Sequence, residues 1–164
     1  MIIEPITARR AVREYENTDI SDSQLEDIIR AGQFAPTAHH NASVEFVIIR
    51  DPKIKNALFA LLDQEFVRDV PVLIAPILDR EKSVAPVQDL SVTTENMFLQ
   101  ATAMGLGTVW KNVPEKESEK VKKLLGIPDR YLLINLIPVG YPKGEIIPHS
   151  DADFSAKKIH HEKF

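Results

Sequence analysis

The stretch from Val87 to Met104 constrains the fold more than any other. Leu90, Thr94, Met97, Ala101 and Met104 recur along it at helical spacing, and Gly105 supplies a C-terminal stop. This pattern predicts the central, most buried helix. Two apolar runs flank it in sequence. Val70 to Leu78 is short for a helix and carries Pro71 and Pro76, which predicts a buried strand interrupted near the sheet edge. Tyr131 to Val139 predicts a long apolar strand. Between the helix and that strand, Thr108 to Val113 reads as a short strand and Pro114 to Leu125 as a charged surface helix.

The N-terminal half is punctuated by local signals. Pro5 to Tyr15 reads as a short helix carrying Arg9, Arg10 and Arg13. A second helix starts after Ser21, which with Gln24 has capping-box spacing, and Leu25, Ile28, Ile29 and Gly32 form its inward stripe. Val44 to Ile49 is rich in β-branched and aromatic residues and predicts a strand. Asp51-Pro52 then gives an N-cap and N1 proline to a helix bearing Ile54, Leu58, Leu61 and Leu62. The chain of 164 residues shows no repeat, low-complexity tract or linker-like shift, so residues 1–164 are expected to form a single domain. Residues 141–164 are too polar for a core of their own and are expected to wrap something.

Composition narrows the chemistry. There is no cysteine, which removes disulfides, thiolate nucleophiles and thiolate metal ligands. A net charge of -4 gives no general attraction to nucleic acid, although a local basic patch can still hold a small phosphate. No apolar run approaches the roughly 20 residues that span a bilayer. The opening Met-Ile-Ile-Glu-Pro has no basic segment followed by an apolar one, which makes a cytoplasmic location the expectation.

Arg9, Arg10 and Arg13 form a basic cluster ahead of Tyr15. On a helix, Arg10 and Arg13 share a face and repel unless an anion lies between them. Guanidinium forks suit phosphate oxygens. The cluster alone reads more readily as a solvated turn paired with Glu14 or Glu16. The Gly105-Leu106-Gly107-Thr108 stretch follows a helix rather than opening one, and Trp110 stands where a third glycine is required, which argues against a dinucleotide fingerprint. Gly-x-Ser-x-Gly, Walker A and His-Glu-x-x-His motifs are absent. The adjacent pairs His39-His40 and His160-His161 point apart in extended chain and make poor chelators, so no metal is expected.

Taken in order, the segments resemble the FMN-dependent nitroreductases. Arg9-Arg10-Ala11-Val12-Arg13-Glu14-Tyr15 resembles the family's Arg-Arg-Ser-x-Arg-x-Phe opening, and Ala35-Pro36-Thr37-Ala38 continues the likeness. Glu45 to Ile49, Ala101 to Trp110, Val139-Gly140-Tyr141-Pro142 and the ending Ile159 to Phe164 complete it. The resemblance implies an α+β fold with a central mixed or antiparallel sheet flanked by helices. It also implies a homodimer in which residues 141–164 extend onto the partner subunit. Arg9, Arg10, Ala11 and Arg13 match the segment that holds the FMN phosphate and ribityl chain. Pro36, Thr37 and Ala38, followed by His40, match the loop along the flavin that the other subunit contributes. Trp110, Lys111 and Asn112 match the segment beside the isoalloxazine ring, where a backbone N–H faces N5.

The activity implied is oxidation of NADH or NADPH through FMN and reduction of a small, flat, electron-poor acceptor, a nitroaromatic or a quinone, by a ping-pong mechanism. The flavin carries the redox chemistry, and no catalytic side chain is assigned. A flavin-binding storage or sensor protein without turnover is the alternative, and a flavin-free interaction module a third. The departures bear on this choice. His40-Asn41-Ala42-Ser43-Val44 replaces an Asn-x-Gln-Pro-Trp stretch, and Ala11 replaces a serine. His149-Ser150-Asp151-Ala152-Asp153 stands where relatives carry basic residues. Asp151 and Asp153 are expected to repel a phosphate there, which leaves His149, Lys157 or Lys158 to substitute.

Overall fold

Strand β2, Val72–Asp79, is buried at all of its residues and organises the molecule. The computed structural model describes residues 1–41 and 43–164; Ala42, one of the departures after the Pro36 loop, lies outside them. Alternation along β2 sends Leu73, Ala75 and Ile77 to one face and Val72 and Ile74 to the other. Both faces are covered. Helices α3 (Pro52–Leu62), α4 (Glu65–Asp69) and α6 (Glu115–Leu125) close the first through Leu58, Leu62, Phe66, Val67 and Val121. Helices α2 (Asp22–Gln33) and α5 (Pro86–Ala103) close the second through Leu25, Ile28, Met97, Phe98 and Ala101.

The strand pairings are antiparallel. β1 (Val44–Ile49) pairs with β2 along its whole length, from Val44 opposite Leu78 to Ile49 opposite Leu73. On its other side β2 pairs with β6 (Asn135–Gly140) over Val72 to Ile74 and with β5 (Tyr131–Leu132) over Leu78 and Asp79. β3 (Gly107–Thr108) and β4 (Lys111–Asn112) pair with β6. The sheet is therefore antiparallel rather than mixed; the parallel contact is an isolated bridge from Ala11 to Thr108.

Local signals hold where they act locally. Ser21 caps α2 with a complete capping box, Asp51 accepts from Lys53 N–H with Pro52 in the first turn of α3, and Gly105 takes the left-handed conformation after α5 at φ 73°. Three readings are corrected. Pro76 lies in a central strand, not near an edge; it falls between the part of β2 paired with β6 and the part paired with β5, where the ladder changes partner. The strands read over 108–113 and 131–139 are each broken in two, as β3/β4 and β5/β6. Helix α1 spans Glu4–Ala8, so the arginines lie beyond it. Arg9 takes an extended conformation, and Arg10 and Arg13 share no helical face.

Residues 141–164 carry only 3-10 turns, at Asp151–Asp153 and Ala156–Lys158. Tyr141 and Lys143 bond back to Glu16 and Glu14, and His149 N–H donates to Thr7 O at 2.7 Å. Beyond Ser150 nearly every residue is exposed, including Phe154, Ile159 and Phe164.

Candidate functional site

The arginine segment is seated by its main chain. Val12 N–H donates to Thr108 O at 2.9 Å, Glu16 N–H to Tyr141 O at 2.9 Å, and Lys143 N–H to Glu14 O at 3.0 Å. Two glycines make room for it. A Cβ on Gly107 would lie 2.7 Å from Val12 Cγ2, and one on Gly140 would lie 2.8 Å from Tyr15 Cδ1. Tyr15 is pinned by its hydroxyl, which donates to Val12 O at 2.6 Å. Burial raises its pKa well above the usual phenol range, with Arg13 opposing. The sequence motifs of the two ends thus meet: Arg9-Arg10-Ala11-Val12 lies against Gly105-Leu106-Gly107-Thr108.

The arginine side chains of the segment, unlike Val12 and Tyr15, reach the surface. Arg9 Nε pairs with Glu95 on α5 at 3.4 Å, and Arg10 Nη1 reaches His149 Nδ1 at 3.0 Å. Ala11 and Arg13 are exposed. Arg10 lines a cleft of about 160 Å³ with Ala8, Val12, Leu106, Gly107 and Pro148. A cation at the rim of an apolar wall suits an amphiphilic anion. Of the three tail residues named as substitutes, His149 reaches the arginines. Asp153 is engaged by Ser150 N–H at 3.0 Å and by His149 Nδ1 at 3.2 Å, and these two partners hold its carboxyl below the ordinary carboxylate range.

The Pro36 loop is built separately. Buried Asp89, in the first turn of α5, accepts from Ala38 N–H at 2.9 Å and Ser83 Oγ at 2.6 Å, and more weakly from Asn41 Nδ2 at 3.4 Å. His39 and His40 both take left-handed conformations, at φ 55° and 54°, which costs a non-glycine residue free energy that the Asp89 bonds offset. Asp89 was missed in the sequence because nothing separates a buried helical carboxylate from a solvated one there. Pro36, Thr37, Ala38 and His40 are not among the residues of the Arg10 cleft; Ala38 and His39 border a recess with Glu81 to Val84 instead.

Trp110, Lys111 and Asn112 continue the strand run beyond Thr108, with Lys111 opposite Leu136 and Asn112 opposite Asn135. Trp110 is 37% exposed and leaves a flat apolar surface two residues beyond Thr108, the residue bridged to Ala11. Burial lowers the Lys111 ammonium pKa, with Asp63 opposing. Among the described residues no group of three or more His, Asp or Glu side chains is placed to hold a metal.

The nitroreductase family profile matches residues 6–62 and 56–141. The chain belongs to the nitroreductase family. A candidate NADH dehydrogenase/NAD(P)H nitroreductase of Archaeoglobus fulgidus is 34% identical over 97% of this chain and 96% of its own length. The crystal structure of a nitroreductase-family protein of Parabacteroides distasonis, also described as a candidate NADH dehydrogenase/NAD(P)H nitroreductase, superposes with TM-score 0.92 at 32% identity. The match covers 98% of this chain and 97% of that one. An FMN-dependent nitroreductase of Clostridium difficile gives TM-score 0.92 at 25% identity over 99% and 100% of the two chains. Nitroreductase relatives of this length match from end to end, so the α+β architecture and the order of motifs are those of the family.

The residues present fit the flavin mononucleotide that this family implies. Arg9 and Arg10 offer charge to a phosphate, and Trp110 with the half-buried Lys111 offers a flat face and a cation to a ring. Thr108 Oγ1, buried in the strand residue bridged to Ala11, has no hydrogen-bond partner among the described residues.

Proposed function

We propose that this chain is an FMN-dependent oxidoreductase that takes reducing equivalents from NAD(P)H and passes them to a small, flat, electron-poor acceptor, a nitroaromatic or a quinone, in a ping-pong sequence. Family membership supports the NAD(P)H-linked flavin oxidoreductase. The observation that carries the site assignment is the seating of Arg9-Arg10-Ala11 beside Gly107-Thr108 by the Val12 N–H to Thr108 O bond. When bound, FMN supplies the group that accepts and donates hydride. Arg9, Arg10 and Arg13 hold its phosphate, and Ala11 lets the main chain approach. Trp110, Lys111 and Asn112 would border the ring, and the Lys111 ammonium would offer it a positive charge. Nicotinamide and acceptor take turns on one stacking surface, so neither needs a dedicated catalytic side chain.

The same proposal includes a homodimer of the single domain 1–164. In one chain the Pro36–His40 loop lies away from the Arg10 cleft, and a second subunit would bring its own loop to that cleft. Exposed Ile2, Ile3, Ile6 and Phe34 on the α1/α2 face, and Phe154, Ile159 and Phe164 in the 141–164 tail, supply apolar surface for such a partner. The site of action is the cytoplasm, where the soluble nucleotide donor is available. An elution volume or sedimentation mass corresponding to a single 18.5 kDa chain would rule the dimer out.

A second reading, a flavin-binding storage or sensor protein, is favoured by the ion pairing already present. Arg9 is engaged by Glu95 and Arg10 by His149, and Asp151 and Asp153 line a second cleft with Arg9 and His149. The two readings part on one assay. Purified protein loaded with FMN should oxidise NADH or NADPH steadily with a quinone present. Flavin absorption bands without such oxidation would favour storage or sensing, and a colourless protein that takes up no FMN would end both.

A further inference from the structure

His149 Nδ1 lies 3.0 Å from Arg10 Nη1 and 3.2 Å from Asp153 Oδ2. Nε2 lies 3.4 Å from the same Arg10 nitrogen, which therefore stands over the imidazole ring between its two nitrogens. A neutral ring accepts a cation against its face, while Nδ1 carrying hydrogen donates to the Asp153 carboxylate. The imidazolium repels the guanidinium and attracts Asp153 more strongly.

The surroundings favour such an exchange. His149 is fixed by its own main chain, through its N–H to Thr7 O on α1, whose titratable side chain is Glu4. Arg9 and Asp151 line the same cleft as His149 and Asp153, and Arg9 is paired with Glu95 at 3.4 Å. The balance of charge around Arg10 therefore turns on His149 and Asp153. Histidine is the side chain whose charge ordinarily changes between pH 5 and 8.

We propose that His149 is a proton-coupled residue of the phosphate clamp: its protonation releases Arg10 to the phosphate and neutralises Asp153 beside it, so that phosphate binds with uptake of a proton. Neutral His149 instead covers Arg10 and leaves the Asp153 carboxylate, held by Ser150 N–H, without a cationic histidine to offset its charge next to the incoming anion. This assigns the departures in the tail, His149 and Asp153, one joint role. It rests on the FMN-binding reading and names the regulation of that site.

Fluorescence titrations of FMN and of riboflavin, which lacks the phosphate, test it in wild type, His149→Gln and Asp153→Asn. From about pH 6 to about pH 8, wild-type affinity for FMN relative to riboflavin is expected to fall about fivefold further than that of His149→Gln, the scale of an exposed ion pair. The comparison with His149→Gln cancels the titration of the phosphate itself. Asp153→Asn should bind FMN more tightly than wild type at the upper pH. Parallel pH profiles in wild type and His149→Gln overturn the proton coupling and leave the FMN reading standing. Absence of flavin binding at every pH overturns the FMN reading, and the coupling falls with it.

Discussion

Gly107 and Gly140 face each other across the β3–β6 pair, and each leaves the space in which one residue of the arginine segment sits. Val12 fills the first and Tyr15 the second. Gly107→Ala and Gly140→Ala should each lower stability by about 1 to 3 kcal/mol, the usual cost of overpacking, measured as a shift in the urea midpoint. Val12→Ala in the Gly107→Ala background should recover little of the loss, because Val12 Cβ itself would still lie 2.8 Å from the added methyl. A Gly107→Ala protein as stable as wild type would show that the segment is not seated there.

Arg10→Ala and Arg9→Ala should each weaken FMN binding by about 1.5 to 3 kcal/mol, the range for hydrogen bonds to charged groups, while riboflavin affinity stays nearly constant. Arg13→Ala should act in the same direction. Equal losses for FMN and riboflavin would mean that the arginines support the ring or the fold rather than the phosphate.

Tyr15 links stability to alkaline pH. Its folded pKa is raised by burial, so between the unfolded value of about 10 and the folded value the native state holds a proton that the unfolded chain has lost. Its contribution is complete below that unfolded value and declines as pH rises beyond it. Lysines titrate over the same range, so the informative quantity is wild type minus Tyr15→Phe. Unfolding free energy should fall more steeply above about pH 10 in wild type, with slopes differing by up to one proton. Identical slopes would contradict the buried phenol.

Asp89→Ala strips the Pro36 loop of its shared acceptor. The expected loss is about 1.5 to 3 kcal/mol in chemical denaturation, since Ala38 N–H and Ser83 Oγ lose a charged, buried partner. His39→Gly, which relieves a left-handed strain, should offset part of it. If Asp89→Ala were neutral, the loop geometry would have to be held by other contacts.

What the sequence disclosed follows the range of each cause. Ser21 with Gln24, Asp51 with Pro52, and Gly105 after its helix act on neighbours within a turn, and each stands as read. The period-3.6 and apolar-run patterns located α5, β2 and β6 because burial on a face is repeated along an element. The arginine segment was misread as helix because its conformation is set by Thr108 and Tyr141, far along the chain. Pro76 was placed near an edge because a proline rule counts missing N–H donors and cannot see that β2 changes partner there. Within the site, the arginines and the Gly-Leu-Gly-Thr stretch were legible as chemistry, whereas their meeting over Gly107 and Gly140 was not. His149 was legible only as one of three substitutes, and Asp89 was not legible at all.

The seat of the arginine segment also sets an order in time. Residues 9–16 leave the ribosome well before Thr108 and Tyr141, whose carbonyls receive the Val12 and Glu16 N–H groups, have been made. Contacts so distant in sequence form late, because a long loop must be closed before they stabilise anything. During synthesis the basic segment therefore lacks these main-chain partners while α2 to α5 emerge with β2. A nascent chain stalled before Gly107 should leave that segment open to proteolysis, and the anion site is completed only in the last moments of folding.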